Sequence, residues 1–580
     1  MNWATRSVPL KWIVAPEPEP EMVQEIASKT GLDRTIIKIL FNRQIDTPEE
    51  IDKFLNPKMS DLEDPFDMLD MDKAVDRLLT ALRENEKIMV YGDYDVDGIT
   101  ATSLLYLILN KLGAQVAYYL PNRLVEGYGL SIDGIDYAAS EGATLIVSVD
   151  TGVTAVDEVE YARSKGIDCL LTDHHEPGET LPKPIALVNP KQKECNYTCA
   201  DLSGVGVAFK LAQALYRRLQ QDERELEEHL DLVALGTSAD IVPLTGENRI
   251  LTKYGIKQIS RTTKPGLKSL AFVSGLMGKE IGTGQVVFIL APRINAIGRL
   301  GDAAMAIKLL TTKDERLAAE IARTLDKENQ RRKNIDEKTL NEALDQIREH
   351  VDLENDKAII LASEGWHQGV IGIVASRLVE KYHLPTIMLA IDGEEAKGSA
   401  RSIPGFHLYN ALKECEPLLL RFGGHKYAAG LTIKPENIEQ FRVTMKEVSK
   451  RLLTTDDLIA KLYIDSEIEL SEINGKLLDT LETFAPFGPQ NMRPIFLTRN
   501  CEILGQPYCV GKNHLKMKVR KGESVFDVIG FGFGDWVNNL TGRGSLVDLV
   551  YVIEYNHWDG HTRIQLRLKD IRLASGDLQY

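Results

Sequence analysis

The feature that most constrains this chain is a regular alternation of short apolar segments with helix-like segments between residues 73 and 219. Parallel strands need a crossover between them, and that crossover is usually a helix. The alternation therefore predicts a parallel sheet covered by helices on both faces. The predicted strands are 88–91, 116–120, 145–149, 169–172 and 185–188, and the predicted helices are 100–112, 132–141, 156–165 and 207–219.

Acidic and histidine side chains follow three of these strands at the point where each strand ends. They are Asp93, Asp95 and Asp97 after the first strand, Asp150 after the third, and Asp173, His174 and His175 after the fourth. Ligands of such sheets bind beyond the carboxyl ends of the strands, so we expect the three groups to share one edge. A fourth carboxylate, Asp240, follows a helical segment at 229–235 and has apolar neighbours, among which an unpaired carboxylate would be costly.

Three carboxylates lie within the five residues from Asp93 to Asp97. If extended geometry continues from the strand into the loop, their side chains point to one side. Like charges this close repel each other unless a cation lies among them. Taken singly, these residues have other interpretations: an aspartate-rich turn, a turn or helix cap at Asp150, and a hydrogen-bonding rather than metal-binding role for His175.

As a set, the carboxylates and imidazoles suit Mn²⁺ or Mg²⁺ better than a metal that prefers thiolates. Because several aspartates can bridge, we expect two ions. Such pairs promote in-line attack of water on phosphorus, since one ion lowers the pKa of the water and both share the charge of the transition state.

The composition limits the class of protein. A chain of 580 residues is too long for one core and suggests three or four domains. It contains neither an apolar run of about 18 residues nor a signal-peptide pattern, so we expect a cytoplasmic protein. The formal charge of −16 is unusual for a nucleic-acid-binding protein, but cations neutralise a carboxylate-lined site, and a local basic groove is compatible with an acidic average.

Three further regions follow. Residues 311–351 combine dense charge with helical apolar spacing, which predicts a long connecting helix. A second α/β region begins near residue 352, and its Gly-rich segment at a helix start can hold an anion. Residues 454–580 have short strand-like runs that predict a small barrel. Its basic strand suits a single nucleic-acid strand, with a purely structural barrel as the alternative. The basic residues are Lys512, His514, Lys516, Lys518, Arg520 and Lys521.

The acidic motifs resemble the four successive motifs of the DHH phosphoesterase superfamily, in the order and spacing of its RecJ branch. The matching segments are 93–98, 149–152, 172–175 and 239–240. The resemblance implies that the metal ligands are Asp95, Asp97, Asp150, His174 and Asp240. It also implies that Asp93 and His175 are catalytic residues close by, with His175 facing the scissile phosphate. Superfamily members that hydrolyse pyrophosphate carry histidine at the position of Tyr91, so one metal here is expected to have a different ligand shell.

The resemblance covers nearly the whole chain from about residue 70. Gly-rich segments at 364–377, 398–402 and 422–430 resemble the DHH-associated domain, which binds substrate across a cleft from the metal lobe. By this resemblance, Arg123 and Arg299 contact phosphates, and Ser399, Arg401 and His425 hold substrate phosphates that include a terminal 5′-phosphate. Lys516 and Lys518 of the basic strand are the predicted contacts on the barrel. An isolated arginine is more commonly part of a surface ion pair, which is the alternative for Arg123 and Arg299.

The predicted fold is α/β, with a parallel-sheet DHH lobe and a second α/β DHH-associated lobe joined by a long helix, plus a C-terminal OB-type β-barrel. The predicted domains are an N-terminal helical extension (1–72), a DHH metal-binding phosphoesterase domain (73–310), the connecting helix (311–351), a DHH-associated substrate-binding domain (352–453) and an OB-fold nucleic-acid-binding domain (454–580).

The resemblance implies a single-stranded-DNA-specific 5′-to-3′ exonuclease that releases 5′-mononucleotides in DNA repair and recombination. Its implied partners are single-stranded DNA, a helicase and a single-strand-binding protein, with no membrane. One alternative is an oligoribonucleotide or cyclic-dinucleotide phosphodiesterase of the same superfamily, although those enzymes generally lack a terminal barrel. The other is a non-catalytic replication scaffold, although this chain keeps its carboxylates and both histidines.

Overall fold

The computed structural model describes residues 10–122, 126–127, 129–300, 303–540, 545–558 and 560–574. The described residues form two compact units. The acidic unit comprises those of Pro57–Arg332 and Ala485–Met492, and the barrel unit comprises those of Met1–Asn56, Lys333–Phe484 and Arg493–Tyr580. Among these residues, every helix is too short or too polar to span a lipid bilayer.

The N-terminal part of the barrel unit contains one strand and three helices. They are β1 (Leu10–Val14), α1 (Pro20–Thr30), α2 (Arg34–Asn42) and α3 (Pro48–Leu55). Helix α3 begins with a reciprocal cap, in which Thr47 Oγ1 accepts from Glu50 N at 3.2 Å and the Glu50 carboxylate accepts from Thr47 N at 3.3 Å. The strand β1 is an addition to the predicted helical extension, and it pairs in parallel with residues 460–464 far along the chain.

The acidic unit is built on a five-stranded parallel sheet. Its elements are α4 (Met71–Glu84), β2 (Lys87–Gly92), α5 (Val96–Lys111), β3 (Gln115–Tyr119), α6 (Ile132–Ser140), β4 (Leu145–Val149), α7 (Val156–Ser164), β5 (Asp168–Thr172) and β6 (Ala186–Val188). The strand order is β3-β2-β4-β5-β6, and every pairing is parallel. The parallel sheet predicted from the alternation is therefore confirmed. Because β2 lies between β3 and β4, the strand order switches beside it, which is where such sheets bind ligands.

Further helices complete the acidic unit. They are α8 (Gly204–Arg218), α9 (Leu230–Asp240), α10 (Gly246–Arg261), α11 (Pro265–Val273), α12 (Thr283–Gln285), α13 (Ala291–Leu300) and α14 (Ala304–Thr311), with a π-helical turn at Val286–Leu290. Helices α8 and α9 pack against α5, and most residues of α8 and α9 are buried. Helix α9 runs on through Asp240, so this carboxylate ends a helix rather than following one.

The predicted long helix is confirmed as α15 (Glu315–His350), which contributes residues to both units. A second sheet follows in the barrel unit. Its elements are β7 (Ile359–Ser363), α16 (Gln368–Tyr382), β8 (Thr386–Asp392), β9 (Glu395–Arg401), α17 (Leu408–Glu414), β10 (Leu419–Gly424), β11 (Ala428–Ile433) and α18 (Ile438–Leu452). The strand order is β10-β11-β9-β8-β7.

The C-terminal region forms the small barrel that the sequence predicted. Its elements are β12 (Ala460–Ile464), β13 (Ser466–Glu467), α19 (Gly475–Glu482), β14 (Phe496–Val510), β15 (His514–Lys521), β16 (Ser524–Phe531), β17 (Leu546–Trp558) and β18 (His561–Leu573). The barrel closes because β17 pairs with both β18 and β14. Leu515, Met517 and Val519 of β15 are buried, so the basic residues between them face outwards.

Candidate metal centre

The first acidic group lies where the chain passes directly from β2 into α5. Asp95 caps the helix, since its Oδ1 accepts from Asp97 N at 2.9 Å and from Gly98 N at 3.1 Å. Asp97 is therefore in the first helical turn, and the expectation that extended alternation aligns Asp93, Asp95 and Asp97 is wrong. The turn requires Gly98, because a Cβ there would lie 2.6 Å from the backbone nitrogen of Asp93.

Asp97 is held by the start of α8. The side chain is buried, its Oδ2 accepts from Gly204 N at 2.6 Å, and its Oδ1 accepts from Val205 N at 3.0 Å. These N–H groups have no acceptor within their own helix, so the carboxylate satisfies them while the helix fixes the carboxylate. Gly204 also lets α8 approach Asp150, because a Cβ at this position would lie 2.5 Å from Asp150 Oδ1.

His174 lies among three carboxylates. Its Nε2 is 3.0 Å from Asp150 Oδ1, 3.6 Å from Asp240 Oδ2 and 3.9 Å from Asp97 Oδ2. Asp150 directly follows β4 in a left-handed backbone conformation (φ 59°), which aspartate adopts more readily than most residues. The groups that follow β2, β4 and β5 thus meet at one edge of the sheet, as predicted, and Asp240 joins them from the end of α9.

Three overlapping sets of side chains offer donor atoms for a metal, and within each set these atoms lie within 4.8 Å of one another. The sets are Asp93, Asp95 and Asp150; Asp97, His174 and Asp240; and Asp150, His174 and His175. Because Asp150 and His174 each belong to two sets, the arrangement suits two adjacent cations that share a ligand. Carboxylate oxygens with one or two imidazole nitrogens are donors that Mn²⁺ and Mg²⁺ accept.

The carboxylates of this centre repel one another. Burial, followed by the charges of Asp240 and Asp95, raises the pKa of Asp97 well above its usual value. Burial and the other four carboxylates likewise raise the pKa of Asp150, and burial with Asp95 raises the pKa of Asp240 to about 6. Such concentrated negative charge is the environment that bound cations balance, so the donor set fits a divalent metal.

The two histidines differ in electrostatic environment. Burial lowers the pKa of His174 to about 3, and a neutral imidazole can bind a metal. Burial also opposes charge on His175, but the Asp173 carboxylate, whose Oδ1 lies 2.7 Å from His175 Nδ1, raises the pKa of His175. Asp173 itself accepts hydrogen bonds from the N–H groups of Val153, His174 and His175. Asp173, to which the sequence assigned no separate role, therefore orients His175.

A cavity of about 360 Å³ opens onto these carboxylates. Its lining residues are Asp93, Tyr94, Asp95, Val96, Asp97, Ala239, Asp240, Asn295, Gly298 and Arg299. Arg299, a predicted phosphate contact, is thus at the site, whereas Arg123 lies outside the described residues. Asn295 was not singled out from the sequence, although it lies one helical turn before Arg299 on α13. Arg293 has a structural role, because its Nε donates to Asp326 Oδ1 at 2.9 Å.

Tyr91 points its hydroxyl away from the donor sets. The hydroxyl accepts from Ser131 N at 3.1 Å and donates to Gly129 O at 3.3 Å, and burial raises the pKa of Tyr91. Within the described part of the chain, the donor sets do not include Tyr91. Pyrophosphate-hydrolysing members of the DHH superfamily carry a histidine at the position of Tyr91. The orientation of Tyr91 agrees with the expectation that one cation of this chain lacks that imidazole ligand.

In the barrel unit, two predicted phosphate contacts lie side by side on β9. Arg401 Nη1 donates to Ser399 Oγ at 3.1 Å. Helix α16 packs against them at Gly372, where a Cβ would lie 2.7 Å from Ser399 Oγ and 3.1 Å from Arg401 Nη2. His425 is exposed in the turn between β10 and β11, and Ala428 at the start of β11 pairs with Arg401. Ser399 and Arg401 thus lie on β9, and His425 lies in the turn that leads into the neighbouring strand β11.

Two of the basic side chains of strand β15 are engaged in ion pairs with glutamates. Arg520 and Lys521 form ion pairs with Glu502 at 2.6 Å and Glu469 at 2.7 Å. Lys518 is exposed, while Lys516 donates to Gln565 Oε1 at 2.9 Å and lies opposite the exposed ring of Tyr508. Lys516, Lys518 and Tyr508 thus supply the basic and aromatic side chains that a single strand requires.

Three family models match the chain in the order of its predicted regions. The DHH family N-terminal domain matches residues 87–237, the DHHA1 domain residues 355–451 and the RecJ OB domain residues 464–570. The single-stranded-DNA-specific exonuclease RecJ of Bacillus subtilis (strain 168) is 39% identical over 573 residues, which cover 98% of this chain and 72% of that protein. The chain belongs to the RecJ family.

Solved structures of a RecJ protein have the same fold. RecJ from Thermus thermophilus in complex with Mn²⁺ gives a TM-score of 0.84 at 28% identity, with 98% of this chain and 80% of that chain covered. Its complex with Mg²⁺ gives a TM-score of 0.79 at 27% identity, with 98% and 79% covered. The RecJ resemblance of the four acidic motifs and the predicted α/β fold with a C-terminal OB-type barrel are therefore confirmed.

Proposed function

We propose that this chain is a single-stranded-DNA-specific exonuclease that degrades DNA in the 5′-to-3′ direction and releases 5′-mononucleotides in DNA repair and recombination. The observation that carries the proposal is the three donor sets, linked to one another by Asp150 and His174, at the switch in strand order. Relatives named as RecJ exonucleases and RecJ crystal structures with Mn²⁺ or Mg²⁺ support it.

We assign two divalent cations, Mn²⁺ or Mg²⁺, to this centre. Their ligands in this proposal are Asp95, Asp97, Asp150, His174 and Asp240. When bound, such ions lower the pKa of the attacking water and offset the charge on the phosphate. The chain itself prepares the centre: α8 fixes Asp97, and burial keeps His174 neutral.

His175 and Asp93 act on the reacting groups in this proposal. Asp173 binds Nδ1 of His175 and, against the effect of burial, raises the pKa of that ring. Nε2 is then left to face an oxygen of the scissile phosphate, because the side chain is 38% exposed and accessible to substrate. Asp93 shares a donor set with Asp95 and Asp150, so its carboxylate would lie beside a cation held there and could accept a proton from the attacking water.

The phosphate contacts explain why hydrolysis would begin at one end. Arg299 faces the carboxylate-lined cavity, where its guanidinium can bind the backbone phosphate of the reacting nucleotide, with Arg123 as a further contact. We assign the terminal 5′-phosphate to Ser399, Arg401 and His425. A group that binds a terminal 5′-phosphate favours strands that carry that end, which supports release of 5′-mononucleotides from the 5′ end.

The barrel would bind single-stranded DNA through Lys516 and Lys518, with a base stacked on Tyr508. An enzyme restricted to single strands needs unwound DNA, so we propose a helicase as a partner that supplies the strand and a single-strand-binding protein as one that covers it. DNA as the substrate leads us to expect the enzyme in the cytoplasm.

The test is digestion of single-stranded DNA labelled at either end, with Mn²⁺ or Mg²⁺ and with blunt duplex as the control. We expect a 5′ label to appear at once as mononucleotide, a 3′ label to shorten progressively, and Asp150→Ala to abolish both. Equal digestion of duplex, shortening from the 3′ end, or full activity of Asp150→Ala would overturn the proposal. Cleavage of only short oligoribonucleotides or cyclic dinucleotides would favour the alternative phosphodiesterase.

A further inference from the structure

Three consecutive polar side chains at the start of α10 are buried: Glu247, Asn248 and Arg249. Each contacts a different segment of the acidic unit. Glu247 Oε1 forms an ion pair with the buried Lys210 of α8 at 2.9 Å. Arg249 Nη2 donates to Ala485 O at 3.4 Å. The start of α10 is thus anchored on both sides of Asn248, and polar residues this deeply buried need such partners.

Asn248 joins two loops of the metal centre, and its side chain is 1% exposed. Its Nδ2 donates to Asp201 O at 2.6 Å and to Pro243 O at 3.1 Å. Its Oδ1 accepts from Ser203 N at 3.3 Å. Both amide hydrogens and the amide oxygen are therefore used, and we call these three bonds the Asn248 clamp.

One loop of the clamp leads from a predicted metal ligand. Asp240 ends α9, and the next residue, Ile241, has a left-handed backbone (φ 66°) with a 67% exposed side chain. A β-branched residue in this region is strained, so the turn persists only where its surroundings hold it. The bond from Asn248 to Pro243 O holds the turn, and a second bond, from Leu244 N to Pro489 O at 2.9 Å, supports it.

The other loop of the clamp positions a second predicted ligand. Ser203 caps α8, and the next two N–H groups of that helix bind the Asp97 carboxylate. Ser203 Oγ also lies 2.7 Å from Thr237 Oγ1 on α9, one turn before Asp240. Through a single side chain, the clamp therefore fixes the spacing between the helix start that holds Asp97 and the helix end that carries Asp240.

We propose that Asn248 is a positioning residue that sets the affinity of the centre for Mn²⁺ through Asp97 and Asp240. The inference rests on the proposed function, because it requires these two carboxylates to bind the same cation. Groups that orient metal ligands typically change metal affinity about 10- to 100-fold when they are removed. Asn248→Ala should thus weaken Mn²⁺ binding by about this factor. Because the ligands themselves remain, excess Mn²⁺ should recover much of the nuclease turnover.

The control is Thr262→Ala at the other end of α10. Thr262 is also buried, and its Oγ1 donates to Asp231 Oδ2 at 2.7 Å and accepts from Lys264 N at 3.2 Å. Both variants should lower the unfolding temperature measured in EDTA, but only Asn248→Ala should weaken Mn²⁺ binding. Asn248→Ser is a milder variant whose hydroxyl can keep part of the clamp, so we expect it to fold and to bind Mn²⁺ with intermediate affinity.

Mn²⁺ binding is measured on the full chain by isothermal titration calorimetry and by the electron paramagnetic resonance signal of free Mn²⁺. Wild-type Mn²⁺ affinity in both Asn248 variants, or an equal loss of affinity in Thr262→Ala, would overturn the inference. A wild-type protein that binds no Mn²⁺ would instead contradict the proposed function. The two failures are therefore distinguishable.

Discussion

Two buried aspartates of the centre should respond in opposite directions to the same chemical change, the replacement of a carboxylate by an amide. Asp150 is surrounded by like charges, whereas Asp173 accepts three backbone hydrogen bonds and lies against His175. Without metal, Asp150→Asn should stabilise the protein and Asp173→Asn should destabilise it. Asparagine also tolerates the left-handed backbone at position 150.

The magnitude follows from the spacing of the charges. Donor atoms of the Asp93, Asp95 and Asp150 set lie within 4.8 Å of one another. At an effective dielectric of about 20, two unit charges at about 5 Å repel by roughly 3 kcal/mol. Proton uptake relieves part of this repulsion, so we expect Asp150→Asn to raise the free energy of unfolding by about 1–3 kcal/mol in EDTA at about pH 8. Asp173→Asn loses hydrogen bonds to a charged group and should cost about 1.5–3 kcal/mol.

The sign of the pH dependence provides a second check. An acid whose pKa is raised by folding destabilises the folded state above its unfolded pKa, and protonation removes that penalty as the pH falls. The advantage of Asp150→Asn in EDTA should therefore shrink between about pH 8 and pH 5 as the crowded carboxylates take up protons.

The assay is urea unfolding of wild type and both variants, in EDTA and in saturating Mn²⁺. At a concentration of about 100 times its dissociation constant, one bound ion stabilises the wild type by about 2.7 kcal/mol, and Asp150→Asn should lose most of this gain. The order of wild type and Asp150→Asn should therefore reverse on addition of Mn²⁺. Loss of stability in EDTA by Asp150→Asn, as in Asp173→Asn, would refute the electrostatic argument.

Three further predictions concern single side chains. Arg299→Ala should reduce kcat/KM on single-stranded DNA about 10- to 100-fold, because one charge-assisted hydrogen bond to phosphate is lost. An unchanged kcat/KM would exclude a phosphate contact. Lys518→Glu should lower the salt dependence of DNA binding by about one counterion, as measured by fluorescence anisotropy. Arg520→Glu is the control, and its effect should be smaller because Arg520 is already paired with Glu502. Burial lowers the pKa of His229 to about 3. The free energy of unfolding of the wild type should therefore fall by about 2 kcal/mol between pH 8 and pH 5, and His229→Gln should keep this stability. An equal pH dependence of the free energy of unfolding in both proteins would contradict this assignment.

The sequence predicted the parallel sheet and the edge at which the acidic groups meet, because both follow from local periodicity and from the position of each carboxylate at a strand end. It did not predict the path of the chain through Asp95. There the side chain caps α5 and draws Asp97 into the first turn, a competition between strand and helix that periodicity does not resolve.

Features that depend on residues distant in the chain also escaped prediction. The pairing of β1 with β12 joins segments that are 450 residues apart, and a parallel pair has no turn to signal it. The role of Asn248 was not predicted, because its three backbone partners belong to loops on either side of α8 and α9. Such hydrogen-bond partners become visible only in the folded structure.

The central claim is that two cations share Asp150. Anomalous diffraction from crystals soaked in Mn²⁺ tests it most directly. The account predicts two manganese peaks in the acidic unit, both within bonding distance of Asp150, one also bound by Asp95 and the other by Asp97, His174 and Asp240. A single peak, or two peaks of which neither is bound by Asp150, would contradict it.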